Sequence, residues 1–488
     1  MKRIIKLFPY LFLTLFAKKA EATDPPNIVF VLIDDMGWSW QECYGNNFVK
    51  TPNIDRLARE GIKFTDAYAM PQCSPSRFTL ITGQYSARTN MNAVIMEKHV
   101  MPYAPMIQPE SIRVLPIDAV NIGKVMRKAG YHVGHVGKWH FDVAEGRNRK
   151  LLGSEKYLKQ YGFDKMIAAE NIEYDPKSVM SYTNATLNYL ASHQDQPVFA
   201  YLAHHTVHTK LDAPEDLIQK YVELGYEKSP DMRPLEKMPT ANILAMIEYL
   251  DQSIGRLMDG IEALKLKRET LVIYMSDNGG HAKVMDSSPL RRGKGSEYEG
   301  GVRVPLIMHW PESFESGRVI EEPVHIVDLF PTFMELTKGE VDNDYILDGK
   351  SLVPLMLNKG SFEREAIYMN TPLYIPHYNK TPSCFIRMGD YKLIKFYGDY
   401  LEEKDFSKII PEAKIELYNL RNDISEQYDL SESMPEKVRE MEKMLNEWLK
   451  ETGAKMPVKN ENFNPEKWSY ATSHRVDEDG NIIPIEKR

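Results

Sequence analysis

Cysteine is scarce. In 488 residues there are only three, Cys43, Cys73 and Cys384, which excludes a disulfide-stapled scaffold and a cysteine-rich zinc site. A basic excess is missing too. Lys and Arg number 61 against 69 Asp and Glu, for a net charge of −8, so no nucleic-acid partner is expected, because such proteins present a positive face. There is no long apolar run. Leu7–Ala17 is too short to cross a bilayer, and stable membrane insertion is not expected. Internal repeats and low-complexity tracts are absent.

What is present begins with MKRIIKLFPYLFLTLFAKKAEA. Lys2, Arg3 and Lys6 precede the apolar run, and Ala20 and Ala22 stand at the −3 and −1 positions of a cleavage site, the layout of a secretory signal. Residues 1–22 are therefore expected to be removed and the protein exported to the periplasm or beyond. Removal takes away five Lys/Arg and one Glu and moves the charge from −8 to −12. In an exported chain three cysteines leave one unpaired. Cys43 and Cys384 are available to pair, which would make Cys73 the remaining thiol.

The next 340 residues alternate buried-strand and helix patterns. Apolar β-branched runs lie at 27–33, 131–137, 197–203, 271–276 and 304–310, with helical periodicity at 118–129, 181–193, 240–264 and 325–337. This predicts an α/β fold with a large, mixed, mostly parallel sheet covered by helices on both faces. Ligands of such folds gather beyond the C-terminal ends of the strands, and there stand Asp34-Asp35 and Asp277-Asn278. After residue 360 the texture changes to short strands (383–388, 391–397, 416–420) and one helix (434–451). The expected division is a catalytic unit at 23–360 and a smaller α+β unit at 361–488, with a polar tail from Met456 wrapping the surface.

Cys73 opens the run CSPSRFTLITG. Pro75 suits the first turn of a helix, so Cys73 falls at a helix N-terminus, where free N–H groups favour negative charge. That is a fitting place for an anion-handling nucleophile, and equally for a small buried thiol. Asp34, Asp35, Asp277 and Asn278 offer only hard oxygen ligands, which suit Ca²⁺ or Mg²⁺ rather than zinc. A turn or cap after a strand is the ordinary use of either pair alone.

The spacing Cys73-x-Pro75-Ser-Arg77-x-x-x-x-Thr82-Gly83 resembles the signature of type I sulfatases, on the alkaline-phosphatase-like fold. Further blocks follow in the order of that family: Ile33–Gly37, Gly137-Lys138-Trp139-His140, Ser276–Gly279, and Arg292–Pro305 with Lys294. The resemblance extends over about 26–460 and takes in Asp348–Leu352 and Met388–Lys392. It implies that Cys73 is oxidised by a formylglycine-generating maturation enzyme to Cα-formylglycine, and that an oxygen of this residue joins Asp34, Asp35, Asp277 and Asn278 around Ca²⁺, with Mg²⁺ the lesser choice. It also implies a hydrated aldehyde with two hydroxyls, one to attack sulfur and one to expel sulfate afterwards. Arg77 would hold residue 73, Lys138 and Lys294 would offset the sulfate charge, and His140 would take the nucleophile's proton.

A second histidine should protonate the leaving oxygen. Of His204, His205 and His208, the last best fits the family's His-x-Pro pattern, with Lys210 in place of proline, and His205 remains the alternative. The expected substrate is a sulfated glycan, contacted by His281, Lys283 and His377. Two other readings stand beside this one: a phosphate or phosphonate monoester hydrolase on the same fold, and a non-catalytic sulfated-glycan-binding protein with unmodified Cys73.

Overall fold

A computed structural model describes residues 25–94, 99–141, 154–168, 174–230, 239–401, 409–468, 474–476 and 482–484. The expected signal segment, 1–22, lies outside them. Nine of the described strands form the main sheet. Its order is Arg318–Ile320, Ile62–Tyr68, Arg303–His309, Thr270–Ser276, Asn27–Ile33, Val198–Ala203, His132–Gly137 and Asp164–Lys165, with Val324–His325 also on Ile62–Tyr68. Among these described strands only Arg303–His309 runs antiparallel to its neighbours, so the sheet is mixed but mostly parallel.

The pleat explains the two-sided burial. Ile28, Phe30 and Leu32 point into one apolar layer, with the helices Cys73–Thr82, Ile122–Lys128 and Leu329–Thr337. Val29, Val31 and Ile33 point into the other, with Pro52–Glu60, Val179–Ser192, Glu215–Glu223 and Ala241–Leu264. Alternate residues of a strand face opposite sides, so a run apolar at every position needs cover on both. The strand Ile62–Tyr68 was not anticipated. Its polar Lys63, Thr65 and Asp66 interrupt the apolar run, and its outer neighbours are the short strands Arg318–Ile320 and Val324–His325.

Register brings the strand ends level. Ile33 pairs with Ser276, Leu32 with Ala203, and Ala203 with Gly137. The residues that follow, 34–35, 277–278, 138–140 and 204–208, therefore emerge at one edge of the sheet.

A second, four-stranded antiparallel sheet has the order Ile367–Thr371, Ser383–Met388, Tyr391–Phe396, Lys414–Asn419. The helix Pro435–Glu451 covers it through Met441, Leu445, Trp448 and Leu449. Cys384 is buried in this layer and Cys43 packs against the helical layer of the main sheet; both are free thiols. The open question of their pairing is thereby answered: they belong to separate cores.

Buried ions join the two sheets. Lys392 Nζ lies 2.9 Å from both Glu299 and Glu426, Tyr68 donates to Glu299 at 2.7 Å, and Arg303 and Arg387 each hold Asp66. Burial alone would raise the Glu299 carboxyl, but Lys392, Arg303 and Arg387 hold it down at about 2. Glu299 opens the short helix Glu299–Val302, and Gly301 accepts from the Gly279 N–H at 2.9 Å. A Cβ on Gly279 would sit 1.9 Å from the Gly300 oxygen, so only glycine permits this contact beside Asn278. Lys392→Met should leave Glu299 and Glu426 without their shared cation and destabilise the fold by about 3–5 kcal/mol, read as a lowered chemical-denaturation midpoint.

Candidate functional site

The helix Cys73–Thr82 starts where extended Gln72 ends and stops at Gly83, which adopts φ 68° and donates to Thr79 O. Left-handed backbone of this kind suits glycine. Every residue of the helix is buried, and Cys73 is its first residue, as the pattern predicts. One turn later Arg77 points back beneath it. Its Nε and Nη2 donate to Asp277 Oδ2 at 2.9 and 2.8 Å, and its Nη1 donates to Lys138 O at 2.9 Å.

The strand ends supply the rest. Lys138 Nζ meets Asp34 Oδ2 at 2.7 Å, and Lys294 Nζ meets Asp35 Oδ1 at 2.6 Å. Asn278 Nδ2 also donates to Asp35 Oδ1, at 2.8 Å. Asp35 and His140 have φ of 66° and 60°, a left-handed conformation that non-glycine residues adopt at a cost. Lys294 is placed by its loop: its N–H donates to Gly280 O, and that of Gly295 to Pro71 O, each at 2.8 Å.

Asp34, Asp35, Asp277, Arg77, Lys138 and Lys294 are each at most 8% exposed, so three carboxylates face three fixed cations with little of any of these side chains open to solvent. Burial would raise Asp34, yet Lys138, His208, Arg77 and Lys294 hold it well below the carboxylate range. Burial and the Asp34 charge push Asp277 up to about 7 despite Arg77, because two carboxylates crowd one spot. Burial would lower both lysines, but the facing aspartates keep them protonated.

A cation fits here. Ligand atoms of Asp34, Cys73 and Asp277 all lie within 4.8 Å of one another, as do those of Asp34, Asp35 and His208. Asp34 Oδ1 and Asn278 Oδ1 are buried with no hydrogen-bond partner among the described residues. Unmatched buried oxygens are costly, and a hard divalent ion would satisfy them.

His140 Nδ1 lies 3.4 Å from Cys73 Sγ and 3.1 Å from Ser74 Oγ. Burial, with Lys138 and Arg77, drives its pKa well down, which favours the neutral ring. Of the candidates in 204–208, His204 is sealed in the interior, and burial pushes it down to about 3. His205 and His208 both line the cavity over Cys73. The Nδ1–H of His208 donates to Thr209 O at 2.7 Å, which leaves Nε2 facing the site, 3.7 Å from Asp35 Oδ2. Burial pushes His205 down to about 4.

The cavity measures 1320 Å³, and His281, Lys283 and His377 all line it. Three contributors are not singled out by the sequence reading. Ser74 Oγ reaches His140. Tyr378 lines the cavity with its ring 5.3 Å from that of His281 and against Gly295. Tyr374 lines it too, and its hydroxyl donates to buried Asp399 at 2.9 Å. The signature contains Ser74, but the two tyrosines arrive from the second sheet, and only tertiary folding places them.

Burial pushes Asp399 up to about 7, against the Tyr374 hydrogen bond and Lys380, from 3.8 when unfolded. Between these values the folded chain keeps a proton that the unfolded chain releases, so this group's contribution to stability falls as pH rises through the window and is flat above it. Asn cannot ionise. The stability of Asp399→Asn relative to the parent should therefore improve by up to about 4 kcal/mol from pH 4 to pH 8, measured by denaturation at each pH.

The sulfatase family model matches residues 26–339, and the model for the C-terminal part of N-sulphoglucosamine sulphohydrolase matches 293–455. Human arylsulfatase A is 31% identical over 75% of this chain and 74% of its own length. Mouse arylsulfatase J is 28% identical over 91% of this chain and 79% of its own. The crystal structure of Ps i-CgsB, solved also in complex with k-i-k-neocarrahexaose, is similar at a TM-score of 0.68 and 24% identity, over 92% of this chain and 95% of that one.

Proposed function

The chain belongs to the sulfatase family and is a sulfuric ester hydrolase, and from that premise we propose that it removes O-sulfate from a sulfated carbohydrate using residue 73, matured to formylglycine, as nucleophile. The observation that carries the chemical reading is the convergence of Cys73, His140, three buried carboxylates and three buried cations at one sheet edge. The carbohydrate reading draws its support from the likeness in fold to Ps i-CgsB and its oligosaccharide complex.

Asp34, Asp35, Asp277 and Asn278 are the residues that would hold a divalent cation, a hard one on their all-oxygen donor set, with Ca²⁺ placed before Mg²⁺ on the family resemblance. When bound and matured, the cation and formylglycine supply a polarised two-hydroxyl nucleophile. The protein's own residues do the rest. Arg77 fixes the start of the nucleophile helix. Lys138 and Lys294 orient the sulfate and offset its charge, from buried side chains whose aspartate partners hold them in place. His140 accepts the nucleophile's proton at its ring nitrogen, and His208, whose Nε2 faces the site, hands a proton to the departing sugar oxygen once that nitrogen carries one beside its Nδ1–H. We place the protein outside the cytoplasm, on the pattern of its N-terminal segment alone.

The test is sulfate release from a panel of sulfated mono- and disaccharides, beside nitrophenyl sulfate and phosphate, on protein whose 71–88 peptide has been weighed. Maturation should lower that peptide by about 18 Da relative to cysteine, whereas competing thiol oxidations raise it. Active protein carrying an untouched thiol would overturn the mechanism, and faster phosphate than sulfate release would move the assignment to phosphate or phosphonate esters. Cys73→Ser, made in a host that cannot oxidise serine, should keep the parent melting temperature and lose at least about a thousandfold in kcat, since removal of a covalent nucleophile costs on that scale. Calcium chelation should both abolish turnover and lower the melting temperature, because a site-bound ion stabilises only the folded chain.

A further inference from the structure

The tail beyond the last helix does more than cover surface. Val458–Lys459 adds antiparallel to Met106–Ile107. Asn460, 4% exposed, follows at once. Its side-chain amide donates to Pro102 O at 2.9 Å and Ala104 O at 2.7 Å, and its backbone N–H donates to Pro105 O at 2.9 Å. One residue thus satisfies three carbonyls within four positions of a loop that has little regular structure of its own. Farther on, Asn464 N–H donates to Tyr103 O, and the Trp468 ring packs edge-on to Tyr374 at 5.2 Å.

That loop leads directly into the cavity rim. Gln108, Glu110 and Arg113 line the same cavity as Cys73 and Lys294, and so does Tyr374. The two rims are tied together: Tyr374 N–H donates to Gln108 Oε1 at 3.1 Å, and Met106 N–H donates to the Tyr374 hydroxyl at 3.2 Å. The tail therefore grips a wall contributed by residues 101–113 and a wall contributed by the loop around 374. The hydrogen bonds that hold Arg77, Asp34, Asp277 and Lys138 come from other segments.

We propose that segment 458–468 is a strap that sets the width of the leaving-group half of the cavity, with Asn460 as the positioning residue, so that it governs which sulfated alcohol is accepted without taking part in sulfate transfer. This rests on the sulfatase reading for its substrate but not for its mechanics. A rim held by three hydrogen bonds from one buried side chain and its backbone loses its register when the side chain is cut back, because leaving Pro102 and Ala104 carbonyls unpaired favours solvent exposure of the loop.

The experiment compares the full-length parent, Asn460→Ala and Trp468→Ala by three readouts. Amide hydrogen exchange across 101–113 should accelerate at least about tenfold in Asn460→Ala, and less in Trp468→Ala, with the amides of 73–82 unchanged. KM for a sulfated disaccharide should rise about tenfold. The inhibition constant of inorganic sulfate, which needs only the charged end of the site, should stay within about twofold. Unchanged exchange at the rim in both variants overturns the strap. A KM and a sulfate inhibition constant that worsen together also overturn it, by showing a general structural effect. Should Asn460→Ala not fold, Trp468→Ala decides by the same readouts. A parent that releases no sulfate from any saccharide defeats the substrate reading instead, and exchange at the rim then decides the strap alone.

Discussion

The Arg77–Asp277 pair is the contact on which the rest of the site depends. Both side chains are wholly buried, and the guanidinium spends two N–H groups on one carboxylate and a third on the Lys138 carbonyl. It thereby fastens the start of the Cys73 helix to the ends of two strands, Thr270–Ser276 and His132–Gly137. A lysine could not do this, since it lacks the rigid fork. Burying such a pair is expensive, and removing either partner would strand the other charge in the interior. What the arrangement supplies is position: Cys73, Asp277 and the Lys138 backbone cannot move independently.

Around this joint the charges balance. Asp34, Asp35 and Asp277 stand against Arg77, Lys138 and Lys294, with direct contacts at 2.6–2.9 Å. Two features do not fit a closed ion cluster. Oxygens of Asp34 and Asn278 are left unmatched among the described residues, and Asp277 is pushed towards neutrality by burial and by the Asp34 charge. Both point to a further positive charge as part of the working site. A divalent ion would leave the cluster net positive, and a sulfate monoester together with an ionised nucleophile would restore neutrality. The electrostatics are those of a cradle for an anion that gains charge as it reacts.

The second sheet is part of the site rather than an appendage. Its Lys392 anchors Glu299, the start of the short helix that presses Gly301 on Gly279 beside Asn278. Its loop brings Tyr374 and Tyr378 to the cavity. The Met388–Lys392 stretch, which the sequence could mark only as a motif, thus acquires a physical role. It carries a buried ammonium shared by two carboxylates where the sheets meet.

The local features were legible before any fold was known. A run apolar at every position, as in Asn27–Ile33, must be buried on both faces. Pro75 and Gly83 bracket a helix that begins at Cys73, and a cluster limited to carboxylate and amide ligands selects hard cations. These follow from short-range chemistry, which sequence records directly. Other features did not. The strand Ile62–Tyr68 is interrupted by polar residues. Only geometry seals His204 in the interior while His205 and His208 face the cavity. The tyrosines at 374 and 378, and the hold of Asn460 on a loop more than 350 positions away, have no periodicity to betray them. Sequence alone determined which residue types could perform the chemistry and roughly which elements carry them. Strand register and the docking of the second sheet decided which of them meet, because contacts between distant segments depend on how the chain closes on itself and leave no trace in local spacing.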